Sequence, residues 1–204
     1  MILVSSPPPL ELTPFRYGQI SQCLSPDVSR ILLEWLESDA TWSLRVADFY
    51  EQCEFSFEDV RLPNFIAEVF SSDAMDDLRK YVERLFNVSL SSRVDVTAHR
   101  LTQGQRIRIH NDFIPGEETH RLLIQLNRGW QDSNGGLLVF FNSSNPADIH
   151  RILRPVHNSG VVFEISPASL HAVTPIQNGQ RFTLVLSFFP DSKCNNSEMR
   201  SPIV

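Results

Sequence analysis

His110 and Asp112 stand two residues apart in R-I-R-I-H-N-D-F, at the end of an alternating, strand-like run. Side chains at i and i+2 of a strand project to the same face. An imidazole and a carboxylate side by side can supply two of the three ligands of a 2-His-1-carboxylate site, which leaves positions open for non-haem Fe(II) chemistry. His171, in S-L-H-A-V-T-P and 59 residues beyond Asp112, is the best third ligand. That separation suits strands that are neighbours in space but not in sequence. Ten residues later, Arg181 and Thr183 share one face of another strand-like run. A guanidinium and a hydroxyl so placed can grip a carboxylate, the first by paired hydrogen bonds and the second by one more. Arg106 and Arg108 share the face of His110 if their strand is regular, which makes them candidates to touch substrate; a solvated strand end accounts for them equally well.

These residues need a scaffold, and the chain changes period where one begins. Residues 1–24 are rich in proline and serine and read as an extended lead-in. Ser25-Pro26 looks like a helix start, and Val28, Ile31, Leu32, Trp35 and Leu36 follow as one apolar stripe. Residues 42–50 predict a strand, 51–65 carry no clear pattern, and 63–70 predict a short helix. Ser72 opens a second clear helix with Leu78, Tyr81, Val82, Leu85 and Phe86 on one face. From about residue 91 the period becomes two: Val94, Val96 and Ala98 alternate with Asp95, Thr97 and His99. Candidate strands follow near 106–110, 120–127, 137–142, 150–156, 161–166, 170–174 and 181–189, separated by turn signals such as Pro115-Gly116 and Gly135-Gly136. Short strands at this spacing predict a sandwich or barrel such as an eight-stranded jelly roll. The expected fold is α+β, mainly β. It is a single domain with helical support over 1–90, a β-barrel core over 91–190 and a flexible tail over 191–204.

Bulk properties exclude several classes. A chain of 204 residues can bury a core without covalent staples. A net charge of −6 argues against general affinity for nucleic acid. No apolar run is long enough to span a membrane, and the N-terminus lacks the basic and apolar regions of a signal peptide. Cys23, Cys53 and Cys194 are odd in number and far apart, which fits a reduced, cytoplasmic setting better than a disulfide framework.

The order H-x-D, His171, then R-x-T resembles the Fe(II)- and 2-oxoglutarate-dependent dioxygenases, with the prolyl-4-hydroxylase-like branch closest in pattern. Gly104-Gln105, L-N-R-G-W (126–130), Gly135-Gly136 before Leu137-Leu138-Val139-Phe140, and Gly160-Val161-Val162-Phe163 match further family elements. H-N-D-F-I-P-G-E-E-T-H-R-L is also similar to bacterial oxygenases associated with cyclophane-type peptides. The resemblance covers roughly residues 94–190. It implies a double-stranded β-helix and the use of Fe(II), 2-oxoglutarate and O2. It also implies metal binding by His110, Asp112 and His171, and co-substrate binding by Arg181 and Thr183. Because Asp112 is present, hydroxylation rather than halogenation is implied. The family commonly carries tyrosines where this chain has Leu101, Ile107 and Gln125; a glutamine amide can donate the same hydrogen bond, so Gln125 is assigned to the co-substrate.

Of the remaining histidines, His99, His150 and His157 read as structural, whereas His120 opens a strand that faces the site. Arg121 shares the face of Gln125, so His120 and Arg121 join Arg106 and Arg108 as possible substrate contacts. The expected activity is hydroxylation of an unactivated C–H bond in a peptide or protein residue. A free amino acid or other small molecule is the alternative substrate. A barrel that has lost turnover and serves as a binding module is the alternative of another class.

Overall fold

In the computed structural model, which describes residues 6–191, each change of sequence period coincides with a change of layer. Pro26 opens helix α1 (Pro26–Ser38) and buries Leu32, Leu33, Trp35 and Leu36 on one face. After the short α2 (Asn64–Val69), α3 (Ser72–Phe86) buries Leu78, Val82 and Phe86 and ends at Asn87, whose φ of 54° suits a left-handed cap. None of the helices among the described residues is long and apolar enough to cross a membrane.

Strand β4 (Leu90–Leu101) then begins the barrel. It is followed by β5 (Ile107–His110), β6 (His120–Gln125), β7 (Leu138–Phe141), β8 (Ile149–Leu153), β9 (Gly160–Glu164), β10 (His171–Val173) and β11 (Arg181–Pro190). Three earlier strands join them: β1 (Tyr17–Ile20), β2 (Ser43–Val46) and β3 (Glu51–Ser56). The larger sheet runs β1-β9-β6-β11-β4-β3-β2 and the smaller β5-β10-β7-β8, every pairing antiparallel. This is the expected jelly roll, a double-stranded β-helix with helical backing.

The larger sheet is the middle layer. Leu122, Ile124, Leu184, Leu186 and Phe188 pack with the helices, whereas Leu123 and Val185 pack with Phe140, Phe163 and Val173 between the sheets. Alternation along β6 and β11 therefore feeds two cores from the same strands.

The N-terminal third departs from expectation. The lead-in contains β1, which pairs with β9 at one edge of the larger sheet, and the unassigned 51–65 stretch supplies β3, which lies between β4 and the other edge strand, β2. Four to six residues give too little periodicity to read, and their partners lie far along the chain. The strand expected over 42–50 ends at Val46. The expected tail lies outside the described residues, apart from Asp191.

Candidate metal centre and co-substrate pocket

His110 closes β5 and His171 opens β10, and the two are directly opposed across the sheet. Asp112 lies just past the strand end with φ 58°, a conformation that short polar side chains tolerate and most others do not. It turns the carboxylate back toward both rings. Its Oδ1 is 3.3 Å from His110 Nε2 and its Oδ2 is 3.1 Å from His171 Nε2. The three donor sets lie within 4.8 Å of one another.

The outer nitrogens fix the tautomers. His110 Nδ1 lies 2.8 Å from the Arg108 carbonyl and His171 Nδ1 lies 2.7 Å from the Ser169 carbonyl. Carbonyls only accept, so both Nδ1 atoms donate, and in the neutral rings both Nε2 lone pairs face Asp112. Burial lowers the pKa of His171 and favours its neutral form. Burial acts to raise the Asp112 carboxyl, but the charge of the Arg121 guanidinium acts the other way, and the carboxyl is held well below the usual range. Three lone-pair donors converging without a proton between them repel one another unless a cation sits there. The donor set fits a divalent metal with open positions, and Fe(II) above all.

Arg121 contacts Asp112 and also grips Glu118, with Nε–Oε1 2.8 Å and Nη2–Oε2 2.6 Å. Burial acts against its charge, but these two carboxylates outweigh that and raise its pKa.

A cavity of about 310 Å³ extends inward from the trio to Arg181 and Thr183. Arg181 is 3% exposed. Its Nη1 donates to Thr183 Oγ1 at 2.8 Å, and that hydroxyl donates onward to Gln125 Oε1 at 3.0 Å. Arg181 Nε is buried without a partner, and no ion pair among the described residues involves this side chain. Burial alone pushes its pKa down to about 10. A buried cation with an unfilled donor fits a carboxylate ligand such as that of 2-oxoglutarate. Gly136 makes room for it: a Cβ there would lie 3.0 Å from Arg181 Cδ.

The structure also redistributes several residues. Gln125 stands behind Thr183 and orients its hydroxyl, and the cavity wall is Thr183 itself. Arg106 and Arg108 are exposed and point away from the trio, with Arg108 donating to the Asp48 carbonyl. The cause is a bulge: His110 pairs with His171 but Ile107 pairs with Val173, so parity breaks and Ile107 lines the cavity instead. His120 faces the helices, 4.7 Å from the Phe86 ring, because its neighbour Arg121 takes the cavity side. His150 meets the Tyr17 hydroxyl, outside the cavity. His99, read from sequence as structural, lines the cavity beside Gln52 and Glu54. Its parity with Thr97 in β4 was the available signal. Phe49, stacked on His110 at 4.7 Å, gave no local signal at all.

Residues 96–189 match the sequence profile of the 2OG-Fe(II) oxygenase superfamily. Over that span the barrel is similar to members of that superfamily. Oxygenases of this kind use Fe(II) and 2-oxoglutarate with O2, and both halves of the cavity fit those groups. The chain is 28% identical over 115 residues, 55% of its length, to Prolyl 3-hydroxylase OGFOD1 of Xenopus laevis. The mouse protein of the same name is 24% identical. The chain spans about a fifth of the length of these curated relatives. Among solved structures, a Pseudomonas putida prolyl-4-hydroxylase superposes with a TM-score of 0.71 at 20% identity, covering 86% of this chain and 92% of that one. A Trichoplax adhaerens prolyl hydroxylase, in complex with a hypoxia inducible factor oxygen degradation domain peptide fragment, gives 0.69 at 15% identity, covering 91% and 87%. At these identities the superpositions establish the fold.

Proposed function

We propose that the chain is a hydroxylase that inserts one oxygen atom of O2 into a C–H bond of an amino-acid residue in a peptide or protein, with proline the first residue to test. The overall balance is C–H + O2 + 2-oxoglutarate → C–OH + succinate + CO2. The observation that carries this reading is the buried, anion-less Arg181 in one cavity with the His110–Asp112–His171 trio. A carboxylate clamp and a metal site lining one cavity suit a dicarboxylic co-substrate spanning both. His110, Asp112 and His171 would hold the iron, which supplies the electron chemistry that a strong C–H bond demands. Arg181 binds the far carboxylate, Thr183 adds a donor, and Gln125 fixes that hydroxyl. Leu123, Val173 and Val185 line the cavity and exclude water. The peptide substrate is supported by the prolyl hydroxylases among the relatives and structural neighbours. Cys23 and Cys53 are unpaired, which supports a reducing, cytoplasmic setting.

Anaerobic protein supplied with Fe(II) and 2-oxoglutarate is expected to show a weak visible charge-transfer band, and to release succinate when O2 is admitted. His110→Ala abolishes both. A wild type with neither signal excludes the oxygenase activity, and a His110→Ala protein that keeps them excludes the ligand assignment.

A further inference from the structure

A second hollow of about 590 Å³ adjoins the cavity. Phe49, His110, Asp112 and Arg121 line both, so a molecule reaching the trio from this side occupies the outer hollow first. Its other walls include Phe113, Ile114, Leu170 and Phe189. Phe113 and Ile114 are 40% and 62% exposed, two consecutive bulky apolar side chains at a loop tip where polar residues are the norm. Their exposure is built in. Glu117 N donates to the Ile114 carbonyl at 3.1 Å, closing a turn with Pro115 second and Gly116 third at φ 82°, the residues that a type II turn favours. Asn111 Oδ1 accepts from Phe113 N at 3.1 Å, and Ser169 Oγ donates to the Asn111 carbonyl at 2.8 Å. The backbone thus holds both side chains out beside Asp112.

Charge narrows the occupant. The one arginine lining the outer hollow is Arg121, and Asp112 and Glu118 already take it up. Glu117 adds an exposed carboxylate to the rim. Arg93 lies over the Phe189 ring but is bound to Asp95. Among the described residues no unpaired cation remains there to receive the carboxylate of a free amino acid, whereas a peptide backbone carries none.

We propose that this hollow is the substrate groove and that it selects a peptide segment with a bulky apolar residue beside the one that is hydroxylated. The proposal rests on the hydroxylase reading and specifies its substrate class. Burying one such side chain in the groove is worth about a factor of ten in affinity or more.

The test is selection from a random-peptide display library on protein loaded with Mn(II) and 2-oxoglutarate. Leucine, isoleucine and phenylalanine are expected to be enriched about tenfold over their library frequency, and the Phe113→Ser/Ile114→Ser double variant loses that preference. The ratio of apolar to polar sequences is compared, so a partial loss of folded protein does not affect the readout. Selection of charged or polar peptides, no selection, or a preference that survives the double variant overturns the groove. Succinate release by the Fe(II)-loaded wild type is measured in parallel. Its absence defeats the hydroxylase reading itself, whereas its presence without an apolar preference defeats the groove alone.

Discussion

Two arginines at the site, Arg181 buried and Arg121 half-buried, have opposite electrostatic situations, and the difference is testable residue by residue. Arg181 has a hydroxyl partner and no anion, so it is a cost to the ligand-free fold. Arg181→Gln is expected to leave the melting temperature without 2-oxoglutarate unchanged or raised. It should weaken 2-oxoglutarate by about 30-fold or more, as loss of one partner from a buried charge pair does. Thermal melts with Mn(II), with and without 2-oxoglutarate, read both; a variant that keeps the co-substrate's stabilising shift contradicts the clamp. Arg121 is the reverse case, a cation between Asp112 and Glu118. Arg121→Met strands two half-buried carboxylates and is expected to cost about 1–3 kcal/mol in metal-free protein. A divalent ion at the trio replaces the lost positive charge, so Mn(II) should stabilise this variant more than the wild type. Equal stabilisation of the two would mean that Arg121 does not neutralise the metal-binding carboxylate.

At the scale of single elements, β6 shows how one strand serves two chemistries. Arg121 and Leu123 line the cavity, and His120, Leu122 and Ile124 face the helices. His120 is buried against Phe86, its Nε2 has no partner, and burial together with Arg16 pulls its pKa down to about 4. Thr119 accepts or donates at its Nδ1, and Glu164 is its partner across the sheet. In the unfolded chain a histidine titrates near 6.5. Acid therefore protonates the unfolded state first. This group's contribution to stability is complete above about pH 6.5 and is lost as the pH falls toward 4. His120→Leu should flatten the pH dependence of stability in that window, as urea unfolding at pH 7 and pH 5 would show. An unchanged slope would place the acid sensitivity elsewhere. The strands from β4 onward were legible because their alternation is local and their turns carry Gly, Pro and Asn. That His110, Asp112, His171, Arg181 and Thr183 converge on one cavity could be read because they recur in a fixed order on the strands of the barrel. The parity break in β5 was not legible, since a bulge is set by the partner strand, and it removed Arg106 and Arg108 from the site. Gln52 and Glu54 were equally hidden, because pairing of β3 with β4 brings that strand to the cavity, and so was Phe49, whose carbonyl accepts from Arg108 N of β5.

For the molecule as a whole, the question is whether helical support and barrel are separable. We propose that they form one cooperative unit, because the N-terminal third supplies both edges of the larger sheet and half of its core. Asn158 is the tightest tie between the two. Its Oδ1 accepts from Leu24 N at 2.9 Å and its Nδ2 donates to the Leu24 carbonyl at 2.8 Å. Its own N–H donates to the Gln125 carbonyl at 2.7 Å, directly behind the clamp. Its φ is 61°, which asparagine tolerates better than alanine does. Asn158→Ala therefore leaves the N–H of the fully buried Leu24 unpaired, leaves its carbonyl with only the 3.4 Å bond from Gln22 Nε2, and strains the backbone, for an expected loss of about 2–4 kcal/mol. Asn158→Gly keeps the dihedral freedom and isolates the hydrogen-bond share of that loss. In one cooperative unit the helix signal in circular dichroism and amide protection in β11 weaken together in both variants. Helices that melt ahead of a barrel whose β11 amides stay protected would show that residues 90–191 hold the site without their support.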